Sequence, residues 1–247
     1  MAPSRISASS HTIPVTNLSP AAFAPFGQVI QNPGTHKGEP ALDTVEANQG
    51  SATKWLDVSQ MQNLYSHGKS GREAKCVMNM FVCRPRRSRD GRLFKVGILE
   101  RHPYTPQTFV PMGLGKADKK TAYLVVVAPT LPPEAWKDNS LQGTAVFERQ
   151  ASQGVIQKGP GPPDLANLRA FIARGDQAVT YGPGTWHAPM VVLGEKEIEF
   201  VVVQYANGVA EEDCQEVEID VARGEGVEVD VGMASEDRGR GRERANL

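Results

Sequence analysis

Apolar residues in this chain recur at a period of two, in short runs cut off by glycine and proline, and that pattern leaves little room for long helices. Lys75 to Arg84 sets Cys76, Met78, Met80 and Val82 against Val77, Asn79, Phe81 and Cys83. Glu197 to Gln204 puts Ile198, Phe200 and Val202 on an inward face and Glu197 and Glu199 outward. Tyr123 to Ala128 is apolar throughout, as suits a central strand covered on both sides. The 24 glycines and 18 prolines supply turns. At least about nine short strands are expected, with no βαβ rhythm. The fold class that follows is all-β, a sandwich or barrel with one or two small helices on its surface.

Those helices have start signals. Ser19 as N-cap with Pro20 at the first helical position opens one, which Gly27 should stop. Asp164 should cap another running through Leu165, Leu168, Phe171 and Ile172 to Gly175.

The 247 residues suit one catalytic domain over 13–222, with a mobile serine-rich stretch at 1–12 and a disordered mixed-charge tail at 223–247. Residues 129–163 read as an elaborated loop inserted in that domain, with Ala145-Val146-Phe147 as one exposed strand. The arginine-rich stretch from Arg84 to Arg89, followed by Asp90-Gly91, reads as a solvated hairpin loop. Lys plus Arg is 27 and Asp plus Glu is 28, which argues against nucleic acid or a membrane surface as partner. Cys76, Cys83 and Cys214 make no disulfide framework or metal-type cluster, so a reducing compartment is expected. No apolar run approaches membrane-spanning length and no signal pattern opens the chain. The cytoplasm is the expected location. Ala245-Asn246-Leu247, near in form to Ser-Lys-Leu, keeps a peroxisomal alternative open.

Chemistry concentrates in two places. Phe94 to His102 reads as a strand whose even positions, Phe94, Val96, Ile98, Glu100 and His102, form the buried face. Pro103 ends it, and Gln107 to Pro111 reads as the returning strand. The second place is Pro183-Gly184-Thr185-Trp186-His187, another strand end after a tight turn. A carboxylate and imidazoles at the inner ends of strands can transfer protons or hold a metal, or can be a buried ion pair that only shapes the core.

The two places together resemble the paired motifs of cupin barrels. Metal-holding cupins usually carry two histidines one residue apart, whereas the residue one beyond Pro103 is Tyr104, with Gln107 near the expected acid. A closer resemblance lies in six motifs in order. They are Glu100-Arg101-His102-Pro103, Gln107 with Phe109 and Pro111, the run ending Val126-Val127-Ala128, Asp164-Leu165 leading to Leu168-Arg169-Ala170-Phe171-Ile172, Tyr181, and Trp186-His187-Ala188-Pro189. Over Ile13 to Ile219 the chain resembles the ureidoglycolate lyase family. That family often has a second histidine where Ala188 stands, so His187 alone is carried over. Asn48-Gln49-Gly50 resembles a family Asn-x-Gly turn.

The resemblance implies a cupin-type barrel, a homodimer, and cleavage of ureidoglycolate to glyoxylate and urea in allantoin and purine breakdown. His102 and His187 become the proton-transfer pair, with Glu100 orienting one ring. Gln107 and Tyr181 are candidates for the ureido group, Lys75 and Arg101 for the substrate carboxylate, Asn48 for a further substrate contact and Trp186 for the pocket wall. Strand alternation points Arg101 away from His102. No cofactor is assigned. A divalent metal, if bound, would take His102, Gln107 and His187. The alternatives are a metal-dependent cupin oxygenase or isomerase and a non-catalytic cupin that binds a small acid.

Overall fold

The alternation in sequence becomes seventeen strands in the computed structural model, which describes residues 4–35, 42–86, 90–136, 159–220 and 226–232. In chain order they are β1 (Ser4–Ser7), β2 (His11–Asn17), β3 (Gly27–Ile30), β4 (Thr44–Ala47), β5 (Ala52–Trp55), β6 (Lys75–Cys83), β7 (Leu93–Val96), β8 (Ile98–Arg101) and β9 (Gln107–Met112). There follow β10 (Ala122–Ala128), β11 (Arg169–Ala173), β12 (Ala178–Tyr181), β13 (Trp186–His187), β14 (Val191–Leu193), β15 (Ile198–Ala206), β16 (Gln215–Asp220) and β17 (Val227–Asp230). Two four-residue helices, α1 (Pro20–Phe23) and α2 (Ala210–Asp213), accompany them. Among the described residues no helix is long and apolar enough to cross a membrane.

Ten strands form one sheet, with path β1-β16-β8-β13-β10-β11-β2-β17-β7 and β14 also paired to β10. Five form a second sheet in the order β3-β12-β9-β15-β6, and β4 and β5 make a separate hairpin. The sheets curl into a half-barrel, and the fold is all-β and cupin-like. β10 is buried at every residue, as its unbroken apolar run requires. Its Tyr123, Val125 and Val127 pack with Phe109, Val179, Tyr181, Phe200 and Val202 of the smaller sheet. Its Leu124, Val126 and Ala128 join a second cluster with Leu99, Trp186, Val217 and Val229.

Several sequence expectations need correction. The strand expected over Phe94–His102 is two strands, and Gly97 lies between them. β7 pairs with β17 and β8 with β16, and the Gly97 carbonyl accepts the Ile219 N–H at 2.9 Å in the crossing. The break reverses the phase. Phe94 and Val96 share a core cluster with Leu99, an odd position, while Ile98 is exposed. Glu100 therefore does not continue the face of Phe94 and Val96.

Asp164 caps only a 3-10 turn, Leu165–Asn167, through its carboxylate on the Ala166 N–H at 3.1 Å. Arg169–Ala173 then runs as β11 between β10 and β2. Both of its faces are buried, so a helix-like spacing of apolar residues was coincidental. Ser19 does cap α1, accepting from the Ala22 N–H at 3.3 Å, but the helix ends at Phe23 and Gly27 opens β3.

The stretch expected to be mobile at 1–12 contains β1, in parallel register with β16, and the start of β2. The expected tail contains β17, whose Val227 and Val229 are fully buried between β2 and β7. Its valine alternation was readable but short. The basic stretch does not close a hairpin, because β6 and β7 belong to different sheets; Arg86 instead lies over the Phe94 ring at 4.9 Å. The strand expected at Ala145-Val146-Phe147 and the Ala245-Asn246-Leu247 terminus lie outside the described residues.

Candidate active site

Both sheets contribute to one polar cluster at the end of their shared core. His187 in β13 stands in register with Glu100 in β8, so the two side chains lie on one face of the large sheet. Opposite them, Gln107 in β9 is in register with Tyr181 in β12. His102 follows β8 directly, and its ring centroid is 5.5 Å from that of His187. The Tyr181 ring stacks on His187 at 3.9 Å and 10°.

Backbone carbonyls set the tautomers of both imidazoles. A carbonyl oxygen can only accept, so the ring nitrogen it meets carries the proton. Asp213 O lies 2.6 Å from His102 Nδ1, and Thr185 O lies 2.9 Å from His187 Nδ1. Both rings therefore turn Nε2 toward the site. His102 Nε2 is buried and, among the described residues, has no partner at hydrogen-bond geometry. His187 Nε2 faces two acceptors, Gln107 Oε1 at 3.2 Å and Glu100 Oε1 at 3.4 Å. That geometry sets the ring edge against an amide oxygen and a carboxylate oxygen at once.

Burial pushes His102 down to about 4, reinforced by the charge of His187, while the Asp213 carbonyl, Glu100 and Gln107 pull the other way. It is neutral at physiological pH, with a lone pair on Nε2. Burial alone would raise Glu100, but the hydrogen bond and charge of His187 outweigh it and hold the carboxyl below its ordinary value. The Tyr181 hydroxyl is pushed well up by burial and then by Glu100; it stays protonated and, among the described residues, has no hydrogen-bond partner.

Of the residues singled out in sequence, Glu100, His102, Gln107, Tyr181 and His187 come together. Lys75 is exposed at the start of β6, opposite Ala206 and on the same sheet face as Gln204. Three others do not join. Arg101 and Trp186 are neighbours of Glu100 and His187 and so point to the other side of the sheet. There the guanidinium lies 4.4 Å over the indole and both are almost fully buried. Asn48 sits exposed on the turn between β4 and β5. Sequence reading missed Gln204, whose Oε1 accepts from Gln107 Nε2 at 2.7 Å. It continues the inward row Ile198, Phe200, Val202, where a polar residue at the end of an apolar face was the available signal. It also missed the carbonyls of Thr185 and Asp213, and Cys214, whose Sγ is 4.0 Å from Glu100 Oε2.

One donor atom from each of Glu100, His102 and His187 lies within 4.8 Å of the others, a spacing that a divalent cation fits. The orphaned lone pair of His102 Nε2 and the inward Gln107 Oε1 agree with that. The pair one residue apart is thus Glu100 and His102, not His102 and Tyr104, which corrects the alignment with the cupin pattern.

A model of the ureidoglycolate lyase family matches residues 10–224. The chain belongs to the ureidoglycolate lyase family. It is 37% identical to a ureidoglycolate lyase of Schizosaccharomyces pombe over 80% of this chain and 86% of that one. It is 35% identical to a ureidoglycolate lyase of Saccharomyces cerevisiae, over 83% and 93%. A ureidoglycolate lyase of Burkholderia mallei is 30% identical, over 78% and 81%. The family match spans β2 to β16 and includes every residue of the polar cluster.

Proposed function

We propose that this chain is a carbon–nitrogen lyase that cleaves ureidoglycolate to glyoxylate and urea, with His102 as base and His187 as acid. One observation carries the reading: two adjacent imidazoles of fixed tautomer, one offering a buried lone pair and the other held against a carboxylate.

Ureidoglycolate is a carbinolamide, with a hydroxyl, a carboxylate, a hydrogen and the ureido nitrogen on one carbon. His102 Nε2 takes the hydroxyl proton, the C–O bond becomes the carbonyl of glyoxylate, and the C–N bond breaks. His187 Nε2 delivers a proton to the departing nitrogen, so urea leaves neutral and no water is consumed. Glu100 stabilises the charged His187 ring beforehand. The Tyr181 hydroxyl can donate to the ureido oxygen. Lys75, on the sheet face it shares with Gln204, supplies the cation for the substrate carboxylate. A divalent metal, if bound, would be held by Glu100, His102 and His187 with Gln107 beside them, and would act as a Lewis acid toward substrate oxygen. Metal analysis of the purified protein, with assays before and after chelation, decides its presence. The defining assay is product stoichiometry: glyoxylate and urea should appear in equal amounts, and ammonia in place of urea would defeat the lyase reading.

We also propose a homodimer formed through β6. Among the described residues this nine-residue strand is an unpaired edge of its sheet, and its outward row Met78, Met80 and Val82 is exposed, Met78 at 75%. Val110 and Met112 of β9 extend the same apolar surface. An edge this long with no charge in its middle calls for a cover, and a second copy pairing antiparallel satisfies both copies at once. Light scattering at micromolar concentration should give twice the chain mass, and Met80→Glu should halve it. A wild-type monomer contradicts the proposal.

A further inference from the structure

We propose that Asp213 is a positioning residue, whose carboxylate locks its own peptide carbonyl so that His102 is held as the Nδ1–H tautomer. The proposal rests on His102 as the group that presents its Nε2 lone pair to the substrate. In water a neutral histidine favours the proton on Nε2, which would turn a donor toward the hydroxyl and leave no base. The 2.6 Å contact from Asp213 O to Nδ1 reverses that preference. A carbonyl can do this only if its peptide plane is fixed.

The fixing is done by the Asp213 side chain. Its Oδ1 accepts from the Tyr65 hydroxyl at 2.7 Å and from the Asn207 N–H at 2.8 Å, and its Oδ2 accepts from the Gly208 N–H at 2.7 Å. Three donors on one carboxylate close the loop 207–213 around α2 and tie it to Tyr65, which is buried and packed against Tyr104. Glu212 anchors the same loop from its other side. Its carboxylate accepts from the Ser70 N–H, the Ser70 hydroxyl and Asn207 Nδ2, each at 2.7 Å. The two adjacent acids thus divide the work: Glu212 holds the loop to the fold, and Asp213 holds the peptide that meets His102. Neither carboxylate touches the imidazole, so the effect passes through the backbone.

The test uses full-length protein labelled with 15N-histidine, in which two-bond 1H–15N couplings report the tautomer of each ring. His102 is one of five histidines and is assigned by its loss in His102→Ala. In the wild type His102 should read as Nδ1–H. Asp213→Ala should populate the Nε2–H form and lower kcat about ten- to a hundredfold, with KM within about threefold. Asp213→Asn keeps one acceptor oxygen and should fall between the two. Should Asp213→Ala fail to fold, Tyr65→Phe removes one of the three donors and gives the same readouts with a smaller shift. An Nε2–H signal for His102 in the wild type overturns the proposal. So does an unchanged Nδ1–H signal in folded Asp213→Ala, or in Tyr65→Phe where that variant stands in. Absence of ureidoglycolate cleavage by the wild type would instead defeat the lyase reading, and the tautomer populations would still decide this one.

Discussion

His102→Ala and His187→Ala each lower turnover of ureidoglycolate by about a hundredfold or more, the loss that follows removal of a general acid or base. Both variants stay folded. Each substitution leaves one carbonyl, Asp213 O or Thr185 O, without its donor, a cost of about 1–3 kcal/mol that the two core clusters can absorb. The pH profile separates the roles. Burial and the charge of His187 hold His102 down to about 4, so the base form is present above that value and disappears as pH falls through it. The acid limb of kcat/KM should therefore lie near 4, well below the ordinary histidine value of about 6.5. Folded variants with near-wild-type rates would move the chemistry elsewhere. An acid limb near 6.5 would remove His102 from the role of base.

How much of this was legible in sequence depends on whether a residue's setting is local. β10 was readable because a strand buried on both faces is apolar at every position. Gln107 and His187 were readable because each is a polar residue at the end of a strand. Glu100 and His102 were found as residues, but by a false route. The count of apolar even positions ran through Gly97, which has no side chain to show that the phase changes there and that the strand exchanges β17 for β16 as partner. Gln204 could have been found by extending the inward row of β15 by one step. The Asp213 carbonyl could not, since a backbone oxygen has no sequence signature and meets His102 only through the pairing of β8 with β16.

Arg101→Ala should destabilise the fold by at least about 3 kcal/mol and leave substrate affinity in the surviving folded protein unchanged. As one of the two cations near the motifs it was a candidate for the substrate carboxylate although strand alternation points it away from His102, and it is 2% exposed with its donors engaged elsewhere. Nε donates to Gln215 Oε1 at 2.8 Å, Nη1 to Gly159 O at 3.0 Å and Gly161 O at 2.9 Å, and Nη2 to Pro160 O at 3.0 Å. The Gly161 carbonyl also accepts from Trp186 Nε1 at 3.1 Å, and a side chain at 161 would collide with the Leu131 carbonyl. One guanidinium thus fastens the 159–161 segment to the back of the sheet that carries the site. Burial pushes it down to about 9, which still leaves it charged at neutral pH. Truncation removes a donor from Gln215 Oε1 and from the Gly159 carbonyl, at about 1–3 kcal/mol each before relaxation. It also takes one of two donors from the Pro160 and Gly161 carbonyls and deletes the cation–π contact with Trp186, and the melting temperature should drop by roughly 6 °C or more. Arg101→Lys should not restore it, because an ammonium lacks the planar fork that reaches three successive carbonyls and Gln215 together. The measurements are a thermal melt and a KM for ureidoglycolate on the same preparations. A variant that melts within about 2 °C of wild type but shows a raised KM would make Arg101 a substrate contact after all.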